Sequence, residues 1–296
     1  MKAVATIGSF DGVHRGHQCL LHQVRHIADE RKMDAVAITF GTSPKRVLGI
    51  DDALPLNSVE ERVSLLRRSG MDEVEVLDFT PQLASMSARD FMKQVLKEQY
   101  GIEVLVIGYD HRFGRGRQES FPDYVRYGQE IGIEVIQGDA CTDCGGPISS
   151  TRIRHLLTEG EVEGAAQLLG YQYTLQGEVV DGYKEGRKMG FPTANIAPQS
   201  VNKLIPADGV YAVWVVIEET YYKGMLNIGY RPTLNNGRER SIEVHVLDFE
   251  GRLYGTTITI KFAHRLREER TFVSLEELTE QLRIDRDKVN KLLKQS

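Results

Sequence analysis

Along the first half of the chain, short apolar runs alternate with stretches whose apolar residues recur at helical spacing. Residues 3–7 read as a buried strand, and Cys19, Leu20, Val24, Ile27 and Ala28 mark one face of a helix over 15–31. Further buried strands are predicted at 35–40, 74–77, 104–107 and 133–136. Helices are predicted between them, from Ser58 through Leu66, from Ser87 to about Tyr100, and over 124–131. Ser58 and Glu61 form a capping-box pattern at the start of the first of these. This alternation predicts a parallel sheet covered on both faces. Ligands of such sheets bind beyond the carboxyl ends of the strands.

The texture changes near residues 160–172. After a short predicted helix at 162–169, helical periodicity stops at Gly170. Strands are predicted at 173–180, 211–217, 221–228, 241–247 and 253–262, rich in β-branched and aromatic residues. They suggest an antiparallel barrel or sandwich. The chain then ends in helices, opened by a second capping box at Ser274 and Glu277. In the strand 241–247, Ile242, Val244 and Val246 face one way, Glu243 and His245 the other. A carboxylate in that place is either exposed to water or poised over a site, and periodicity leaves both open.

The 296 residues suffice for two domains, expected here as 1–165 and 166–296. A net charge of −5 argues against a nonspecific nucleic-acid binder, so any phosphate binding must be local. No apolar run approaches the roughly 20 residues of a membrane helix, so no membrane partner is expected. The N-terminus begins on a strand rather than on a basic-then-apolar leader, and the expected compartment is the cytoplasm. Cys19, Cys141 and Cys144 provide no disulfide framework. The Cys141/Cys144 pair stands alone, and two ordinary thiols are expected there rather than a four-ligand zinc site.

The first candidate chemistry lies in the turn Gly8-Ser-Phe-Asp-Gly-Val-His14-Arg-Gly-His17. Glycines sit where backbone must bend or approach a ligand, and two histidines three apart open a helix whose free N–H groups favour an anion. The loop after residue 107 carries Asp110, His111 and alternating glycines and arginines through Arg117, suited either to anion contact or to solvation. Ser149, Ser150 and Thr151 offer hydroxyls that suit an N-cap or an anion site, and both roles can hold at once. Arg154 beyond them presents a planar fork. In the second half, Gly182, Gly186 and Gly190 are spaced four apart with Arg187 and Lys188 between them. That loop could wrap a polyphosphate or be a hairpin loop without a ligand. Pro192 would stiffen the residues after it, presenting the Thr193 hydroxyl and the Asn195 amide oxygen, hard ligands of the kind Mg²⁺ takes.

The His14-Arg-Gly-His17 spelling resembles the signature of the nucleotidyltransferase superfamily, and Ile148-Ser-Ser-Thr-Arg-Ile-Arg154 resembles its second signature. Pro192-Thr-Ala-Asn195, Gly229-Tyr-Arg-Pro-Thr233 and the strand from Glu243 to Phe249 resemble riboflavin kinase. In this order the halves resemble the bacterial bifunctional riboflavin kinase/FMN adenylyltransferase (FAD synthetase) family over nearly the whole chain. The resemblance implies an α/β nucleotidyltransferase domain followed by a β-barrel kinase domain. It implies phosphorylation of riboflavin by ATP to FMN and ADP, then adenylylation of FMN by a second ATP to FAD and pyrophosphate. A riboflavin kinase with a weak or altered first domain is the alternative.

Carried over by motif, His14 and His17 would stabilise charge on the α-phosphate of ATP. Gly8, Phe10, Asp11, Gly16, Asp110, Ser149, Ser150, Thr151 and Arg154 would complete that ATP site. In the second half, Gly186, Lys188 and Gly190 would seat ATP, Thr193 and Asn195 would ligate Mg²⁺, Glu243 would be the general base, and Arg267 would lie near the flavin. Two positions depart from the family pattern: Ser43 stands where a histidine is usual, and His111 where an aromatic residue is usual.

Overall fold

The computed structural model describes residues 2–50, 52–109, 111–139, 148–181, 190–232 and 238–294. The chain divides into two compact units, Met1–Ser150 and Thr151–Ser296.

In the first unit β1 (Ala3–Ile7), β2 (Asp34–Phe40), β3 (Glu73–Leu77), β4 (Ile102–Ile107) and β5 (Glu134–Gln137) form a parallel sheet ordered β3-β2-β1-β4-β5. All five residues of β1 are buried, as a strand covered on both faces requires. One face carries α1 (Arg15–Arg31), whose Leu21, Val24 and Ala28 pack with Val4, Ala35, Ala37, Val104 and Val106. On the other face Ala5, Ile7, Ile38 and Leu105 meet Phe91, Met92, Val95 and Leu96. Those four belong to the helix predicted at 87–100. It begins as α5 (Ala88–Asp90) and runs on as a π-helical segment, Phe91–Gln99.

Two short helices escaped the periodicity: α2 (Pro44–Val47) and α4 (Pro81–Ser85), each with proline in its first turn. At four and five residues they are too brief to show a repeat. α3 (Val59–Arg68) has its capping box complete, with Ser58 and Glu61 bonded in both directions. A 3₁₀ turn (Arg115–Arg117) precedes α6 (Phe121–Ile131). Cys141, Cys144 and Asp110 lie outside the described residues.

The second unit opens with most of α7 (Ser150–Thr158), then α8 (Val162–Leu169). β6 (Thr174–Val180), β7 (Ala194–Pro198), β8 (Gly209–Ile217), β9 (Thr220–Pro232), β10 (Arg238–Val246) and β11 (Thr257–Arg267) close into a barrel ordered β10-β7-β6-β11-β8-β9. Of the two antiparallel architectures expected, the barrel is the one formed.

β7 was not anticipated: five residues containing Asn195 and ending in Pro198 carry little strand signal. It supplies the pairing partner that β6 and β10 both need. The last strand also begins later than predicted. Gly255 sits at φ 76° and the amide of Thr256 bonds back to Leu253 O, so residues 253–256 turn, held to β6 by Gly255 N donating to Val179 O and Val179 N donating to Thr256 O. It runs on past Phe262 through two register shifts against β8. Among the described residues the chain ends in one helix rather than several, α9 (Leu275–Leu292), with the Ser274 hydroxyl oxygen accepting from the Glu277 amide. Val289 and Leu293 pack on Ala212, Met225, Ala263 and Phe191, covering one flank of the barrel.

Candidate functional site

The chain order reverses across the first sheet between β1 and β4, the place where open α/β sheets bind ligands. The turn leaving β1 is held there tightly. Gly8 N donates to Ile38 O (3.0 Å) and Thr39 Oγ1 to Ser9 O (3.3 Å). Phe10 and Val13 are both buried at positive φ, 45° and 35°, a conformation that costs free energy and clusters at functional sites. Phe10 lies over Gly8, where a Cβ would sit 3.2 Å from its ring. Asp11 is engaged by its own unit: its Oδ1 accepts from the Leu56 amide (2.8 Å) and its carbonyl from Ser150 Oγ (2.8 Å).

His14 is the N-cap of α1, its Nδ1 accepting from the His17 amide at 3.3 Å. That bond leaves its proton on Nε2, a donor for an incoming anion. The two imidazoles stack with centroids 3.7 Å apart and planes 13° apart. Gly16 makes room for this, since a Cβ there would lie 3.3 Å from the His14 ring. Phe10 meets His17 edge-on at 5.3 Å.

Burial first, then the neighbouring His14 and His111, push the His17 pKa well below 6.5, so its ring is neutral. His17 Nδ1 is buried with no hydrogen-bond partner among the described residues. An unsatisfied buried nitrogen is costly, and it lies in the first turn of a helix, where free backbone N–H groups can receive an anion.

His111 bears on this site through its charge effect on His17. Tyr124 sets its loop: the phenol accepts from Phe113 N and donates to Phe113 O, both at 2.9 Å, while its ring stacks on Phe113 at 4.5 Å. Ser43 is exposed and makes no side-chain cap bond at α2. No feature of the sequence pattern marks Arg62, which is buried at 5% exposure and donates to Phe40 O beside Asp11. Ser149 and Ser150 precede and open α7. Within α7, Ile153 and Leu157 are buried, Thr151 is exposed and Arg154 partly so.

The second site lies on the barrel. Ile242, Val244 and Val246 are buried, whereas Glu243 and His245 are partly exposed on the opposite face of β10. Glu243 pairs in register with Asn195 of β7, and Thr193 Oγ1 donates to Glu243 Oε2 at 3.1 Å. Three hard oxygen-bearing side chains therefore converge. Of these three, Thr193 also lines a cavity of about 540 Å³, together with Asp181, Val244, Val246, Phe249, Arg252 and Tyr254 among others. Gly190 stands at φ 77° with open space where a Cβ would project, leaving its backbone accessible. Gly186, Lys188 and Thr233 lie outside the described residues.

His245 Nδ1 lies 2.8 Å from Pro192 O, and burial lowers its pKa against the raising effect of that bond. Arg267 is less free than its place in the sequence suggests. Its Nε bonds Asp285 Oδ2 of α9 at 2.9 Å, and Asp285 is fully buried. Gln281 takes the other carboxylate oxygen at 2.8 Å. The Arg267 guanidinium also lies 5.7 Å from the Phe272 ring centre.

The family model for FAD synthetase matches residues 1–152, and that for riboflavin kinase matches residues 169–293. The bifunctional riboflavin kinase/FMN adenylyltransferase of Listeria monocytogenes is 37% identical over 287 residues, 96% of this chain and 90% of that protein. Its counterpart in Escherichia coli is 35% identical over 284 residues, 95% of this chain and 90% of that protein. A solved structure from Streptococcus pneumoniae, described as a macrolide-efflux protein, superposes with a TM-score of 0.90 at 34% identity. The match covers 99% of this chain and 95% of that one.

Proposed function

The chain belongs to the family of bifunctional riboflavin kinase/FMN adenylyltransferases, and from that premise we propose how its residues divide the work. It is a transferase that phosphorylates riboflavin with ATP to FMN and ADP, then adenylylates FMN with a second ATP to FAD and pyrophosphate. The observation that carries this is the succession of the two family matches along one chain. We assign residues 1–165 to adenylyl transfer and 166–296 to the kinase.

In the first reaction Glu243 accepts the proton of the ribityl hydroxyl as its oxygen attacks the γ-phosphorus and ADP departs. Thr193 and Asn195 fit a hard divalent ion, because with Glu243 they present oxygen donors on one face of the barrel. Mg²⁺ held there neutralises phosphate charge when bound. ATP occupies the cavity, and Gly186, Lys188 and Gly190 are the residues we assign to seating it. Arg267 holds the end of β11 beside the flavin through its bond to Asp285.

In the second reaction an FMN phosphate oxygen attacks the α-phosphorus of ATP and pyrophosphate leaves. His14 and His17 donate hydrogen bonds to the charge that develops, a preorganised electrostatic contribution rather than covalent catalysis. Gly8, Phe10, Asp11 and Gly16 shape the turn, and Ser149, Ser150, Thr151 and Arg154 hold the triphosphate. We place the enzyme in the cytoplasm, where ATP is supplied.

Stoichiometry tests this division. From riboflavin, each FAD should be accompanied by one ADP and one pyrophosphate; from supplied FMN, by pyrophosphate alone. ADP formation from FMN would contradict it.

A further inference from the structure

Three consecutive residues leading into β7 are each tied to a different part of the second unit. Phe191 is buried in the cluster of Ala212, Met225, Val289 and Leu293, between the barrel and α9. The Pro192 carbonyl lies 2.8 Å from His245 Nδ1. Thr193 Oγ1 donates to Glu243 at 3.1 Å. A carbonyl oxygen only accepts, so the His245 ring must donate from Nδ1. Proline has no amide proton, so the carbonyl is the one backbone polar group by which residue 192 can be held.

The geometry assigns His245 a role that rests on the kinase site proposed above: it is a positioning residue that pins Pro192 and thereby places the Thr193 hydroxyl against Glu243. Both anchors come from the outward face of β10, two residues apart, so one strand fixes the base and the segment facing it. Phe191 braces the ring from the side, T-shaped at 5.3 Å and 68°. His245 reaches the reaction through that backbone bond. Its effect is on alignment, where a displacement of about 1 Å costs on the order of 10²-fold in rate.

The test uses the full-length chain with His245→Ala, His245→Asn and His245→Gln, measuring FMN formation from riboflavin and, separately, adenylylation of supplied FMN. An asparagine amide places its N–H near the position of Nδ1; glutamine carries it one bond further. We expect His245→Ala to lower kcat for FMN formation about 10²-fold with KM for riboflavin within about twofold. His245→Asn should recover most of the loss, His245→Gln little, and adenylylation should stay unchanged throughout. The proposal is overturned if His245→Ala keeps wild-type kcat, if asparagine and alanine lose equally, or if adenylylation falls in parallel. Glu243→Gln is run alongside. Loss there with normal His245→Ala activity removes the positioning role alone, whereas an active Glu243→Gln removes the site reading and the positioning role with it.

Discussion

Glu243 stands directly opposite Asn195 in the ladder between β10 and β7. Directly paired residues project to the same side of a sheet, so the carboxylate and the amide leave the barrel together. The Thr193 hydroxyl completes the group through its bond to Glu243. The alternation of β10 leaves Glu243 either in water or over a site; its hydrogen bond to Thr193 favours the latter.

Glu243→Gln should therefore lower FMN formation about 10²–10⁴-fold, the range of general-base catalysis. Adenylylation of supplied FMN should be spared. Product chromatography of the two reactions checks this, and equal loss of both would make the residue structural.

His17→Ala should lower FAD formation about 10²–10³-fold and leave FMN accumulating from riboflavin. The cap of α1 survives the change, because His14 accepts from the backbone amide of residue 17 rather than its ring. Thermal unfolding should accordingly shift little.

The fold of the first unit was legible because its strands are continuous apolar runs and its helices carry a clear apolar face. His14, His17 and Thr193 stand out in the sequence as motif residues, while the period of β10 gives only the side on which Glu243 emerges. What stayed hidden depends on distant partners. His245 finds Pro192 53 residues away, Arg62 finds Phe40 22 residues away, and Arg267 finds Asp285 18 residues away. A polar side chain satisfied by such a contact looks like any solvated one in the sequence. β7 was hidden for a different reason, since its pairing on both sides overrides its weak propensity.

Acid should weaken the fold through His17. Its folded-state pKa lies well below 6.5, so below about pH 6.5 the unfolded chain binds a proton that the folded chain does not. Stability is full above that pH and falls as pH drops toward the lowered value. His245 is lowered too, chiefly by burial, and acts in the same direction. Unfolding free energy measured between about pH 5 and 8 should show a slope that His17→Asn reduces and the additional His245→Asn reduces further. An unchanged slope would contradict it.

Arg267→Ala should destabilise the barrel by about 3–5 kcal/mol, the usual consequence of leaving a buried carboxylate unpaired. Asp285 is at 0% exposure, and Gln281 alone would then remain bonded to it among the described residues. Adding Asp285→Asn should restore much of the loss, measured by denaturant unfolding. Additive losses in the double variant would show that the pair is not coupled.

The most direct test of the central claim is a chromatographic time course of the purified chain with ATP and Mg²⁺, started once from riboflavin and once from FMN. The account predicts FMN as a transient followed by FAD in the first reaction, and FAD without delay in the second. FMN accumulating from riboflavin with no FAD in either reaction would contradict it, leaving a kinase whose first unit does not transfer the adenylyl group.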